Sequence, residues 1–467
     1  MADYLSMLWP LRHGIQDSNC GRDALRLILR QSGREGPLSI MTSLQIDAGA
    51  SARTRIAVRL LPFLFLLYIA NYLDRTNIAY ATLGMKGELG LNDSVFGTAS
   101  GIFFIGYFAL QVPGALLVER WSARRLLALT LITWGALTGL TAFVHTPLQL
   151  YGARFLLGAA EAGFFPGVIV YLSHWFLDRD RGKAVARFMA AIPIGFIIGG
   201  PIAGGLLQVQ WLGLAGWRWL FLLEGAPAIL FGMATLFFLP DWPREARWLT
   251  REESDWISAR LAQEQQAKTG VGKLSVWQAL RHPAVLILTV GLFFTYSGGY
   301  AFWFFEPTML QRLTGWSVQR VSWMAPIVFG AGLAGMLFFG WSSDRMRERR
   351  WHFAIPQLTA ALALTAWFFL PHSNAMLVVI FALVGFGTIA YLPSFWALPS
   401  AFLSASAAAA AVGFVNCIAS IGGYFGPKIF GDLSQRTGSF NTGFAVMIAC
   451  WVIASLLVIV CPRDGNA

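Results

Sequence analysis

The sequence predicts an all-α membrane protein of twelve spanning helices arranged as two related six-helix halves. Three observations predict it: a deficit of charge, a succession of apolar runs long enough to cross a bilayer, and an acidic-arginine turn that recurs in both halves. Of 467 residues, 56% are hydrophobic and only 13% are charged, whereas a soluble domain carries about 25% charge. Nineteen tryptophans and 37 phenylalanines beside 48 glycines combine bulky apolar faces with small residues that let helices approach closely.

A helix needs about 20 apolar residues to cross the hydrocarbon layer. Runs of that kind, bounded by charges, prolines or glycines, lie at 57–81, 95–118, 125–144, 147–171, 184–207 and 218–239. After a polar loop they resume at 284–306, 320–341, 352–371, 375–398, 408–431 and 442–461. The chain thus divides into a cytoplasmic extension at 1–55, a first half at 56–239, a central loop at 240–282, a second half at 283–462 and a tail at 463–467. The extension has no spanning run. It is expected to be disordered or to arise from an upstream start, Met41 offering an internal one, with Arg22 to Arg34 as an alternative amphipathic surface segment.

A net charge of +11 in a soluble protein would point to nucleic acid, but here the cations gather in short loops between apolar runs. Arg120, Arg124, Arg125, Arg179, Arg181, Lys183, Arg187, Arg345, Arg347, Arg349 and Arg350 fall on one side. Lys86, Arg312, Arg320 and Arg436 are the main cations on the other. The positive-inside bias places both termini and the central loop in the cytoplasm, as expected of a multi-pass protein of a bacterial inner membrane. Cys20, Cys417, Cys450 and Cys461 have no metal or disulfide spacing. In the central loop Thr250 is a helix cap. Gly270-Val271-Gly272-Lys273-Leu274 lacks the earlier glycine and the hydroxyl of a phosphate loop.

The turn after the second run reads Glu119-Arg120 with Arg124-Arg125, and the turn after the eighth reads Asp344-Arg345 with Arg349-Arg350. Two tandem halves are the natural reading. Each carboxylate is placed to act as a latch, pairing across the bundle when the cytoplasmic side is shut. The plain alternative is a solvated acid in a basic loop.

An ionisable side chain at the bilayer centre costs about 2.5 to 3.5 kcal/mol on insertion scales, so each needs a partner or a function. In the first run Tyr68, Asn71, Tyr72 and Arg75 share one side of a helix, and Asp74 lies about 100° round from Arg75. In the fourth, Arg154 and Glu161 are seven residues apart, on nearly the same face and about 10 Å apart along the axis. Near a helix end Arg75 or Arg154 can snorkel to headgroups, which Asp74 is too short to do. A buried arginine offers a fork to a carboxylate, and a neighbouring acid neutralises that arginine until a proton removes the acid's charge. Proton and anion binding are thereby linked.

The stretch from Asn71 to Ile78, the run from Arg154 to Gly167, and Gly216-Trp217-Arg218-Trp219-Leu220-Phe221-Leu222-Leu223-Glu224-Gly225 resemble the anion:cation symporter family of the major facilitator superfamily. Asp344-Arg345, Phe395-Trp396-Ala397-Leu398-Pro399 and Asn416 through Pro427 extend the likeness over about 53–462, most like the bacterial tartrate and phthalate branch. The resemblance implies the major facilitator fold and proton-coupled uptake of a small carboxylate. It implies substrate contacts at Tyr72, Arg75, Tyr107, Trp396 and Asn416, with Asp74, Arg154 and Glu161 in the coupling network. Arg154 is also counted among the substrate-binding candidates. Glu119, Arg120, Arg124, Asp344, Arg345 and Arg349 are the gating candidates.

The sequence departs from the family at Glu119, Ala115 and Ser122 in the first latch, at Glu306 before Pro307, and at Lys428 after Gly426-Pro427. Glu306 and Lys428 either mark a distinct substrate or sit in water near the outer membrane face. In the fifth run Gly195, Gly199, Gly200, Pro201, Gly204 and Gly205 suit close helix packing, a pattern shared with proton-driven drug exporters. The expectation is a monomeric transporter, not an enzyme. It needs no metal or cofactor beyond a coupling proton, takes a small organic anion as substrate, and works in a lipid bilayer. Export by proton exchange is the alternative, and a membrane sensor or intramembrane enzyme the remote one, given that HExxH, GxSxG and signalling segments are missing.

Overall fold

The computed structural model describes residues 37–269, 280–399 and 405–461. The first half is built from α1 (Pro37–Met85), α2 (Asp93–Arg120), α3 (Ala123–Thr141), α4 (Pro147–Glu161) running on into α5 (Phe164–Trp175), α6 (Asp178–Met189) running on into α7 (Ala191–Leu206), and α8 (Gly216–Phe238). The central loop carries α9 (Arg251–Thr269). The second half contains α10 (Pro283–Thr314), α11 (Val318–Ser322) with α12 (Ala325–Met346), α13 (Arg350–Ala366) and α14 (Asn374–Ala390) with α15 (Leu392–Ala397). It ends with α16 (Ala405–Ser420) joined to α17 (Gly422–Thr437), and α18 (Asn441–Ile459). Counting each joined pair once, these make twelve crossings. Among the described residues nine stretches are long and apolar enough to span a membrane by themselves. The other crossings are α3, α13 and the pair α16–α17.

Local chemistry sets the helix ends. Thr146 and Gln149 form a reciprocal capping box with Pro147 in the first turn of α4. Asn92 and Ser122 cap α2 and α3 with their side-chain oxygens. Gly315 and Gly438 end α10 and α17 in the left-handed conformation.

The helix α1 begins at Pro37, well before the expected span and inside the segment read as an extension. Polar contacts explain this. Ser51 Oγ donates to Glu253 Oε1 at 2.5 Å, Arg55 reaches Glu253 Oε2 at 3.2 Å, and Arg53 grips both oxygens of Asp180 at 2.6 and 2.9 Å. The base of α1 is therefore tied to α6 and to α9, whose start is boxed by Thr250 and Glu253 as expected. Residues 1–36, the Gly270–Leu274 run and the tail at 463–467 lie outside the described residues.

The tandem repeat is visible in the packing. Gly158 of α4 lies against the Phe103 carbonyl of α2, and Gly385 of α14 lies against the Val328 carbonyl of α12. At both positions a methyl group would overlap backbone, so the same pair of crossings meets through glycine in each half. Between the halves, α2 packs on α17, α7 on α11 and α12, and α1 on α10.

Candidate functional site

The seam holds a cavity lined from both halves. From the first half come Tyr68, Tyr72 and Arg75 of α1, Tyr107 of α2 and Phe165 of α5. From the second come Tyr296, Tyr300 and Trp303 of α10, Tyr391 and Trp396 around α15, and Asn416 and Ser420 of α16. The unbroken α1 puts Tyr68, Tyr72 and Arg75 on one stripe. In the second half the breaks at Tyr391 and Ile421 fall beside the cavity, where irregular backbone is tolerated.

Arg75 sits in an aromatic box. Its Cζ lies 5.0 Å from the Tyr107 ring centre, 5.4 Å from Phe103 and 5.5 Å from Tyr72. Such cation–π contacts are worth up to about 2 kcal/mol when desolvated. Its Nε donates to Glu161 Oε2 at 2.8 Å, and Asn71 Nδ2 donates to the same oxygen at 2.7 Å. Glu161 is fully buried, and its second oxygen, Oε1, has no partner among the described residues. A carboxylate so held has one oxygen committed to the arginine and one available to a proton.

Asp74 faces away from the cavity, accepting from Thr138 of α3 and from Asn77, each at 2.8 Å. Arg154 is fully buried behind the wall, 4.9 Å from the Phe103 ring centre, with Nε, Nη1 and Nη2 all lacking a hydrogen-bond partner among the described residues. The expected network is thus split. Arg75 and Glu161 form the pair at the wall, while Arg154 and Asp74 lie in the second row. Of the predicted contacts, Tyr72, Arg75, Tyr107, Trp396 and Asn416 line the cavity and Arg154 does not.

Sequence reasoning missed Glu224 of α8. It is buried, has a free Oε2, and lies within electrostatic reach of Asp74. The cost of an acid within an apolar span would have flagged it. Tyr296, whose hydroxyl meets Asn416 Oδ1 at 3.1 Å, and Tyr300 carry no such flag, because aromatic residues are common in membrane helices.

At the end of the bundle holding the basic loops, the gating residues make local contacts. Arg124 N donates to Asp241 Oδ1 at 2.9 Å, Arg349 reaches Asp344 Oδ1 at 2.6 Å, and Arg345 stacks over Trp341. The side chains of Glu119 and Arg120 lie outside the described residues. At the opposite end the halves are bolted together. Asp93 of α2 receives Arg312 of α10 and Ser434 of α17, and Ser94 donates to Asp432, which also holds Lys428. Lys428 is therefore part of this bolt and not of the cavity. Glu306, expected to be wet or substrate-marking, is not wet: it is 0% exposed, and it does not line this cavity. The fifth-run glycines serve packing, Gly195 on Tyr72 and Gly200 and Gly204 on Ser322.

Comparison with known proteins agrees with this fold. The family described as Major Facilitator Superfamily matches residues 64–427. A protein of Agrobacterium vitis, proposed by its name as a tartrate transporter, is 39% identical over 422 residues, 90% of this chain and 93% of its own. The quinolone resistance transporter of Acinetobacter baumannii is 34% identical over 391 residues, 83% of this chain and 89% of its own. A bacterial homologue of the human lysosomal transporter Spinster, solved inward-facing and unoccupied, shares the fold with a TM-score of 0.69 at 19% identity. The match covers 88% of this chain and 95% of that one.

Proposed function

This chain belongs to the Major Facilitator Superfamily, a family of integral membrane transporters, and from that premise we propose that it takes up a small organic anion together with a proton. The observation that carries the reading is Arg75. Among the described residues it is the ionised group on the cavity wall, held at one edge by Glu161 and free of carboxylates at the other.

The steps follow from these atoms. A proton reaching Glu161 Oε1 removes the charge that competes for Arg75. The guanidinium fork then receives a carboxylate, with the tyrosines and Asn416 offering hydrogen bonds to hydroxyl groups. With the proton on Glu161 and a substrate carboxylate on Arg75 the arginine is again paired, and the halves can rock about it. With the basic loops in the cytoplasm, the bolt at Asp93 closes the outer side, and the cavity serves the inner one. The A. vitis relative supports a hydroxylated dicarboxylate such as tartrate, or a related sugar or aromatic acid, as the substrate.

Proton-driven export of an aromatic compound is the second reading, favoured by the aromatic walls and the quinolone resistance relative. A screen of radiolabelled organic acids in proteoliposomes, with and without proton or sodium gradients, separates the two. Inward accumulation of an acid driven by a proton gradient is expected; pH-driven flux of aromatic cations in the opposite direction selects export.

A further inference from the structure

The region between the cavity and the outer bolt holds a carboxyl that the transport cycle above does not use. Glu306 of α10 is 0% exposed, and neither of its oxygens has a hydrogen-bond partner among the described residues. Its neighbour Phe305 packs edge-on against Phe96 of α2, across the seam, and against Phe430 of α17. Two other buried hydroxyls in this part of the seam are likewise unpartnered: Tyr80 of α1, within electrostatic reach of Glu306, and Ser322 of α11. They meet over α7. A Cβ added to Gly200 would lie 3.0 Å from the Tyr80 hydroxyl and would strike the Ser322 carbonyl, and one on Gly204 would lie 2.9 Å from Ser322 Oγ. Through Tyr80 the buried acid thus adjoins a contact between α1, α7 and α11, which come from both halves.

We propose that Glu306 is a second proton-binding site, loaded from the outer side, and that the seam closes only over its neutral form. The step is a simple protonation, a carboxylate oxygen and a proton giving the acid. Ionised and unpaired in this apolar seam, the carboxylate would have no compensation for its lost hydration. When the halves part on the outer side, water reaches it and it ionises. The closed arrangement therefore binds the proton more tightly than the open one, so acid favours closure and base favours opening.

No other charge on the packed elements competes for this role. From α1 the facing titratable group is Tyr80. On α2 and α17 the charges of Asp93, Lys428 and Asp432 are taken up by Arg312, Ser434, Ser94 and one another, and Arg436 is exposed at the last turn of α17. Around the Tyr80 hydroxyl α7 presents Gly200 and Gly204, and α11 presents Ser322. Thr388 of α14 is bonded to Trp303, and α18 contributes the buried thiol Cys450.

The proposal rests on the alternating movement of the two halves but not on the identity of the substrate. It is tested with spin labels at Gln210→Cys and Gln319→Cys, exposed positions at the outer ends of the two halves, in the full chain with its native cysteines replaced and reconstituted in liposomes. The ratio of short to long inter-label distances should fall as pH rises, by up to about tenfold per pH unit, the limit for one proton. Glu306→Gln should hold the short distance at every pH, and Glu306→Asp should restore the titration. A Glu306→Gln chain that titrates like its parent overturns the proposal, as does a parent whose distances ignore pH. A shift driven by sodium at constant pH and lost in Glu306→Gln overturns the proton as occupant. Persistence of the pH response in a chain that moves no organic acid supports Glu306 and counts against the substrate class instead, so the two failures are distinguishable.

Discussion

Replacing Glu161 by Gln removes one charge and one titratable proton while keeping the side chain's shape. In the structure Glu161 Oε2 accepts from Arg75 Nε at 2.8 Å and from Asn71 Nδ2 at 2.7 Å. The amide oxygen of a glutamine can accept from both, so the local geometry survives. Breaking a buried ion pair costs about 3 to 5 kcal/mol. The lower end applies, because Arg75 keeps 12% of its side chain exposed to the cavity. The functional effect is larger than the structural one. A pH gradient of one unit is worth about 1.36 kcal/mol per proton, enough to hold a tenfold gradient of an anion that travels with one proton. With no proton-binding oxygen beside Arg75, that ratio should collapse to one, while exchange of labelled for unlabelled anion across the membrane continues. The assay is accumulation and counterflow of a radiolabelled organic acid in the same proteoliposomes. A Glu161→Gln protein that still concentrates the acid in response to a pH gradient refutes the coupling role of Glu161.

Arg75→Lys keeps the charge and gives up the planar fork. Anion affinity should fall by about 10- to 100-fold, measured as the ligand concentration that protects against thermal unfolding. Asp93→Asn strips the outer bolt of its charge partner for Arg312. The outward-open population should rise by about 5- to 150-fold, a shift of 1–3 kcal/mol, read from distances between spin labels across the outer face. Glu88, in the loop after α1, is held below the ordinary carboxylate range first by the hydrogen bond from Arg218 at 2.5 Å, helped by Trp217 at 2.7 Å. A depressed carboxylate stabilises the fold above its unfolded pKa and loses that effect as pH falls through the folded value. Glu88→Gln should therefore melt earlier than the parent at neutral pH, and the two melting curves should converge in acid; a gap independent of pH contradicts the pairing.

Much of the bundle was legible because a bilayer forces a one-dimensional signal: a crossing must be long and apolar, and a loop must carry its charges where water is. The first crossing was read too short, since the polar base of α1 is stabilised by ion pairs with Asp180 and Glu253, far away in sequence. Most of the intramembrane charges were legible for the same reason as the spans, standing out against their cost, although Glu224 was passed over. Their pairing was not. Spacing put Arg154 and Glu161 on one face of a helix, yet Glu161 bonds to Arg75 of α1, and Arg154 is left against Phe103.

Hydropathy and the recurring acidic-arginine turn were enough to read the number of crossings, the doubling of the halves and most of the residues too polar for their surroundings, because each is written in a short stretch of sequence. Which acid holds which arginine, that Lys428 belongs to the bolt at the end opposite the basic loops, and that Glu306 is sealed away from water depend on where separate helices come to rest against one another. Those distances are set by packing between segments many residues apart, and no periodicity within one segment records them.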